Sequence, residues 1–412
     1  MRDRWKVLVA VVAVAALGGR TAVAQTGVTQ RLDALEKKVE EQQKTLSDKL
    51  GFELHAFVAT NYNYNFNAPD SHANKIHVFD QDANSIELDQ ANINLQRNVP
   101  EGLGFNLDLD FGKTAEAVGG VTHWSNNPNS SESTNSIELR QAYLKYAFPD
   151  TPFSLMAGKF VTFHGAEIIK SYNNFNYNIS NGILFGFAVP FTHTGLVGTY
   201  TLPDDMGSIA AGVTNGWDDP VDNNSGKSLI SNLALTPNPM FSFALATTYG
   251  PEQNSDGRSK RFLVTPIFTV KPIDPLTFIL EYDYGNESNV ALVNGAVSTR
   301  TATGQFVSGN ADWQGAAAYA IYAVNDDIQV ALRGEVFDDP DGVRTAFQEP
   351  GFGPGATFWE VTPTVAYKIT NGLTWRSEYR HDESDKRFFD KNNRVSAIRG
   401  QDLIETELIY AF

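Results

Sequence analysis

The sequence predicts an all-β protein: a transmembrane antiparallel β-barrel of about 16 strands, preceded by a short N-terminal helical, coiled-coil segment. Three observations predict it. Apolar and polar residues alternate with period two from Gly51 to the end of the chain. The connections between these segments alternate between short and long. The last segment, Gln401 to Phe412, carries Ile404, Thr406, Leu408, Tyr410 and Phe412 on one face and Leu403, Glu405, Glu407 and Ile409 on the other. An apolar face opposite two glutamates suits a strand between lipid and water. A bare apolar edge strand invites aggregation unless it pairs. The first strand of the same chain is the expected partner, and that pairing closes a barrel.

Composition agrees with this class. The 412 residues hold 33 glycines and no cysteine, and 12% are aromatic. Mean hydropathy is slightly negative. Beyond the N-terminus no apolar run approaches the roughly 20 residues of a spanning helix. A barrel hides its apolarity by alternation, so a low average is compatible with a membrane protein. With no cysteine, no disulfide can form in any compartment.

The chain is expected to divide into residues 1–24, a signal peptide; 25–50, a periplasmic heptad helix; and 51–412, the barrel. Arg2, Arg4 and Lys6 precede the apolar stretch Val7 to Leu17, and Ala22-Val23-Ala24 is a small-residue cleavage site. Val28, Leu32, Leu35, Val39 and Leu46 then follow heptad steps among charged residues. A helix this short is marginal alone, so it suits either a small coiled coil that helps set oligomer state or a helix lying against the barrel mouth. Without the signal the chain carries 28 basic and 47 acidic residues, a net of −19. That balance disfavours nucleic acid as a partner.

Sixteen alternating segments start near Gly51, Ser85, Gly102, Ser136, Phe153, Phe191, Gly207, Lys227, Phe241, Lys260, Leu276, Ala311, Asp327, Thr357, Leu373 and Gln401. Seven short connections carry Pro, Asp, Asn and Gly, the residues of tight turns. Eight longer ones lie near 67–84, 114–135, 164–190, 219–226, 251–259, 287–310, 338–356 and 385–400. This rhythm is that of an up-and-down barrel with both chain ends on the short-turn side. The stretches 287–310 and 338–356 could each conceal a further hairpin. One echo stands out: Ser85-Ile-Glu-Leu-Asp-Gln-Ala91 recurs as Ser136-Ile-Glu-Leu-Arg-Gln-Ala142. In both, the apolar phase slips near the Gln, as a β-bulge would cause.

A barrel of this size leaves an aqueous channel. No plug domain is apparent, so a loop is expected to narrow it. The third long connection, 164–190, is the candidate, because long loops without strands of their own are usually functional. His164, Glu167 and Lys170 offer polar groups, and Tyr172, Phe175 and Tyr177 suit a segment between wall and water. Ile183 to Phe187 could form a short helix. On the strands from Asp327 and Leu373, Arg333, Glu335, Arg376, Glu378 and Arg380 oppose apolar residues. Arg or Lys facing mid-bilayer lipid costs roughly 2–4 kcal/mol, so these side chains are expected in the lumen, where charge sets selectivity or braces the wall.

Two resemblances follow from particular residues. Tyr410-Ala411-Phe412 resembles the closing strand of bacterial outer-membrane barrels, which implies that Tyr410 and Phe412 are read by the barrel assembly machinery. It also implies outer-membrane lipids and lipopolysaccharide as surroundings. Ala157-Gly158-Lys159-Phe160 with Thr162, Gly165 and Glu167, followed by Asn181 to Gly195, resembles the β-barrel porin-2 (OmpL-like) family. That resemblance implies an outer-membrane porin, a channel for passive diffusion of ions and small hydrophilic solutes. A homotrimer is expected by analogy with general porins.

The eight long loops carry −7 of the −19 charge, leaving −12 on strands and turns. A mild cation preference is expected. Asp338-Asp-Pro-Asp341 is first a turn sequence. The seven histidines show no HExxH or other metal spacing, and there is no GxSxG elbow or P-loop. No catalytic residue, metal or cofactor is therefore expected. A structural or adhesive surface barrel shares the same alternation, and conductance in planar bilayers separates it from a pore.

Overall fold

The computed structural model describes residues 51–121, 137–293, 296–297, 307–345, 348–349, 353–392 and 397–412, with Lys38 and Glu41. The expected signal peptide and, apart from those two residues, the expected heptad helix lie outside the described residues.

Sixteen strands form the wall. They are β1 (Glu53–Asn65), β2 (Ile86–Arg97), β3 (Gly102–Phe111), β4 (Ile137–Ala147), β5 (Phe153–Val161), β6 (Thr192–Thr201), β7 (Gly207–Thr214) and β8 (Ser228–Asn238). Then follow β9 (Phe241–Gly250), β10 (Arg261–Ile273), β11 (Leu276–Val293), β12 (Val307–Ala323), β13 (Ile328–Asp339), β14 (Ala356–Thr370), β15 (Leu373–Ser384) and β16 (Gly400–Ala411). Each pairs antiparallel with the next. β16 returns to β1 in a register running from Phe57↔Ala411 to Asn65↔Leu403. Phe412 and Ala56 exchange two backbone hydrogen bonds, of 2.9 and 3.0 Å. Closure leaves no unpaired edge, which a lipid environment requires of any sheet.

Alternation sets the two faces. Val58, Tyr62, Leu196, Ile209, Leu280, Leu332, Tyr379 and Leu408 point outward and are exposed. Asn61, Asn63, Asp108, Glu281, Arg333, Glu378 and Glu405 point inward and are buried. The short turns use left-handed backbone at Asp150, Asp204 and Gly207. At Gly207 (φ 128°) a Cβ would lie 1.9 Å from the Ala234 carbonyl oxygen, so the turn has no room for a side chain.

The repeated heptapeptide makes the same device twice. The register between β1 and β2 shifts so that Asp89 is the extra residue, and the register between β3 and β4 shifts at Arg140. Asp89 and Arg140 hold the same place in the two repeats, and both are buried inside the barrel, as are Glu87 and Glu138.

Two connections differ from expectation. The second holds a helix, α1 (Lys113–Val121), whose Val118 is fully buried among apolar residues inside the barrel. β11 and β12 run beyond their expected ends, and Ala296–Val297 pairs back on the tip of β11. Gln348–Glu349 pairs with Gly353–Pro354 in a small separate hairpin. Neither adds a strand to the wall.

The interior departs from a uniformly polar lining. Leu263, Ile279, Trp313, Ala317, Tyr319 and Ile321, on β10 to β12, face inward and pack against Ile183, Leu184, Phe185, Ala188 and Val189. The apolar tail of the third long connection covers them, which is why an inner wall can be apolar there.

Candidate pore constriction

Residues 164–190 lie inside the barrel and bridge it. At the start, His164 is buried between two threonines, with Nδ1 2.8 Å from Thr265 Oγ1 and Nε2 2.8 Å from Thr248 Oγ1. Burial, and then the neighbouring His193, hold its pKa well below the ordinary 6.5, so it is neutral in this seat. Farther along, Lys170 reaches the other side. Its Nζ donates to Asp89 and, at 2.9 Å, to Glu407, while its carbonyl accepts from Arg140. The two bulge residues therefore grip one loop residue, one through the ammonium and one through the backbone. Burial opposes the charge on Lys170, but Asp89 and Glu407 outweigh it and raise the pKa.

The return path is fixed by the charged residues of β13 and β15. Arg333 Nη1 donates to Glu167 at 2.6 Å and to the Ser180 carbonyl at 2.7 Å, and its Nε donates to Glu360 at 2.8 Å. Glu378 accepts from the backbone N–H groups of Ile179 (2.7 Å) and Ser180 (3.1 Å). Arg376 donates to the Asn178 carbonyl at 3.0 Å and pairs with Glu407. Arg380 donates to the Asn181 carbonyl at 2.8 Å. Glu335 accepts from Ile183 and Leu184 N–H at the head of a single π-type helical turn, Leu184–Ala188. That carboxylate comes so close that a Cβ on Gly182 would sit 2.1 Å from its Oε1. A helical turn is thus present where Ile183 to Phe187 suggested one.

Tyr172 and Phe175 pack on β1 and β2. Tyr172 stacks on His55 at 3.9 Å, nearly parallel, and its hydroxyl accepts from Gln96 at 2.7 Å. Phe175 meets Phe57 edge to face at 5.2 Å. Tyr177 is partly exposed beside a cavity of about 130 Å³ that Glu167, Asn176 and Tyr319 also line. All eleven proposed lining residues are therefore brought together, but most are spent on holding the loop. Tyr410 and Phe412 lie apart from them, exposed on the outer face with rings 5.7 Å apart.

Sequence reading missed three groups. Trp313 Nε1 donates to the Ala188 carbonyl at 3.1 Å from the apolar wall. Residues of the first long connection turn inward, with Asn74 bridging Asn65 (2.9 Å) and the Asp80 carbonyl (2.8 Å). At the outer mouth, Arg261 and Arg344 both stack on Trp217, beside Asp218, Asp219 and Glu252, around a cavity of about 310 Å³. The density of Asn in 61–84 was the available signal for the second group. Asp339 accepts from the N–H groups of Val343, Arg344 and Thr345, which bears out the turn reading of 338–341.

Comparison with known proteins places this geometry. The fold resembles the outer membrane channel DcaP of Acinetobacter baumannii, at 12% identity and a TM-score of 0.55, over 88% of this chain and 97% of that one. It resembles an anion-selective porin from Comamonas acidovorans at 10% identity and 0.55, over 88% and 99%. It also resembles the trimer form of OmpT, an outer membrane protein of Vibrio cholerae, at 13% and 0.52, over 88% and 99%. No curated protein matches the sequence. Residues 51–412, every strand of the barrel, match the family described as Putative beta-barrel porin-2, OmpL-like, and the chain is a bacterial outer-membrane β-barrel belonging to that family.

Proposed function

We propose that this chain is a porin that passively conducts ions and small hydrophilic solutes, narrowed where residues 164–190 cross its lumen. The observation that carries the reading is that loop, held inside a closed sixteen-strand barrel by ion pairs to β2, β13 and β16. Cations are the favoured ions: among the described buried residues twenty are acidic and six are Lys or Arg, and carboxylates lining a passage attract cations. The residues that set the narrowing are those of the loop, His164, Glu167, Lys170, Tyr172, Phe175 and Tyr177, with Arg333, Glu335, Arg376, Glu378 and Arg380 positioning it. No step of the function is enzymatic.

Single-channel recording in planar bilayers tests the reading. Stepwise conductance with a cation-selective reversal potential is expected, with sugars above a cut-off size excluded. Absence of steps from correctly folded protein leaves a structural or adhesive barrel. An anion-selective reversal potential removes the charge argument alone.

The working unit is a homotrimer. Its support is the trimer form of the Vibrio cholerae neighbour and the heptad pattern of residues 25–50. Mass measurement in detergent, with and without 25–50, tests both. The mature chain begins after Ala24, which N-terminal sequencing reads directly. Tyr410 and Phe412 present the aromatic ending to the assembly machinery, and the barrel sits among outer-membrane lipids and lipopolysaccharide. A Phe412→Ala variant is expected to reach the membrane at reduced level.

A further inference from the structure

The first long connection folds into the barrel instead of staying at the rim, and it brings His77 and Asp80 against Glu405 of the closing strand. One ligating atom from each, the imidazole nitrogen and two carboxylate oxygens, lie within 4.8 Å of one another, and all three residues are buried. The far side of the ring is fixed. His77 Nε2 is 3.0 Å from Asp382 Oδ2. Asp382 is in turn held by Arg380 Nε at 2.7 Å and by Gln401 Nε2 at 2.9 Å. His77 Nδ1 is hydrogen-bonded to Asp80; with Nε2–H donating to Asp382, a metal ion taking the place of the proton on Nδ1 would accept its lone pair. Glu405 is fully buried, and neither of its oxygens receives a hydrogen bond from the protein. Its close neighbour is the Asp80 carboxyl, another acceptor.

Two acidic groups and one ring nitrogen thus converge on one point; His77 Nδ1 is hydrogen-bonded to Asp80, and Glu405 has no donor there. A buried carboxylate without a partner is costly, and buried charges are normally paired or bound to metal. We propose that His77, Asp80 and Glu405 hold a first-row divalent metal ion, of which Zn²⁺ fits best, as a structural site pinning the first outer loop to the closing strand. Zinc takes imidazole nitrogen and carboxylate oxygen at about 2.0–2.2 Å, leaving a fourth position for water. A tetrahedron of such bonds sets its ligand atoms about 3.3 Å apart, within the span seen here. A carboxylate receiving the second ring N–H of a metal-bound histidine, as Asp382 does, is the usual support of such a ligand. Calcium and magnesium prefer six or more oxygens, which this trio does not offer. Spacing could not reveal the set, because His77 and Asp80 lie in the first long connection and Glu405 on the closing strand.

The test is Zn²⁺ titration calorimetry on the folded full-length chain after chelator treatment. One saturable site per chain is expected. Glu405→Gln should weaken it at least about 100-fold, and Asp382→Asn by about 10- to 100-fold. His72→Ala, an exposed histidine of the same loop, should bind as the parent does. Circular dichroism checks that each variant is folded. Zinc-edge absorption on the unaltered protein reads the ligand set without any substitution, and one imidazole with oxygen neighbours is expected. No saturable binding, equal binding by Glu405→Gln, or a site with several imidazoles overturns the proposal. The first two results would leave a cluster that shares protons instead.

Discussion

The inner wall presents two surfaces to the same loop. Along β13 and β15 it offers Arg333, Glu335, Arg376, Glu378 and Arg380, and the loop answers with carbonyls, N–H groups and Glu167. Along β10 to β12 it offers Leu263, Ile279, Trp313 and Tyr319, and the loop answers with Ile183 to Val189. The difference teaches how position and adhesion are divided. Directional charged contacts have one good geometry, and half-breaking them is expensive. Apolar contact is less exacting about register, since hydrophobic attraction has no direction.

The largest expected effect comes from breaking the charged side. Arg333→Ala strands Glu167 and Glu360 inside the barrel, and removing one partner of a buried pair costs about 3–5 kcal/mol. The loop should leave its seat, with higher single-channel conductance and a lower melting temperature. Replacing the whole set, as Glu167→Gln with Arg333→Met and Glu360→Gln, should recover much of the stability but not the parent conductance. Parent conductance in both variants would mean the charges do not set the loop's position.

On the apolar side, Leu184→Ala should cost about 2–5 kcal/mol, read as a lower melting temperature. Its tail should loosen while Glu167 and Lys170 stay anchored, so conductance should rise less than in Arg333→Ala. A smaller effect comes from acid. His164 is neutral in its buried seat and binds a proton more readily when released. The seated state therefore holds fewer protons below the ordinary pKa of 6.5, and the seat should weaken as pH falls below that value. Conductance recorded between neutral and acidic pH should rise, and His164→Gln should flatten the curve. The smallest effect concerns the outer mouth. Burial, with Glu252, Asp218 and Asp222 adding, pushes Asp219 up to about 7. Its charge appears above that pH, so cation selectivity should increase slightly through neutrality, and Asp219→Asn should remove the increment.

Much of this was legible in the chain. The period-two face of Gln401 to Phe412 and its pairing with the first strand appear as read. The phase slip in the two heptapeptides lies where both registers shift. The inward set Arg333, Glu335, Arg376, Glu378 and Arg380 follows from the cost of charge in lipid. The apolar wall was not legible, because Gly315-Ala-Ala-Ala-Tyr319 is small and apolar on both faces and alternation cannot tell them apart. The inward turn of residues 66–85 was not legible either, since Asn, His and Asp look alike in a surface loop and in a packed one. Its partners come from strands at the far end of the chain.

The matched bulges carry one more consequence. Each of β2 and β4 is two combs joined at an offset, so a single set of teeth slid along either strand puts one half on the wrong side. Loss of one residue at position 89 would therefore act unlike any substitution there. It would merge the two combs into one regular set, keeping Ile86 and Leu88 toward the acyl chains and Glu87 inside, while taking away the carboxylate that grips Lys170.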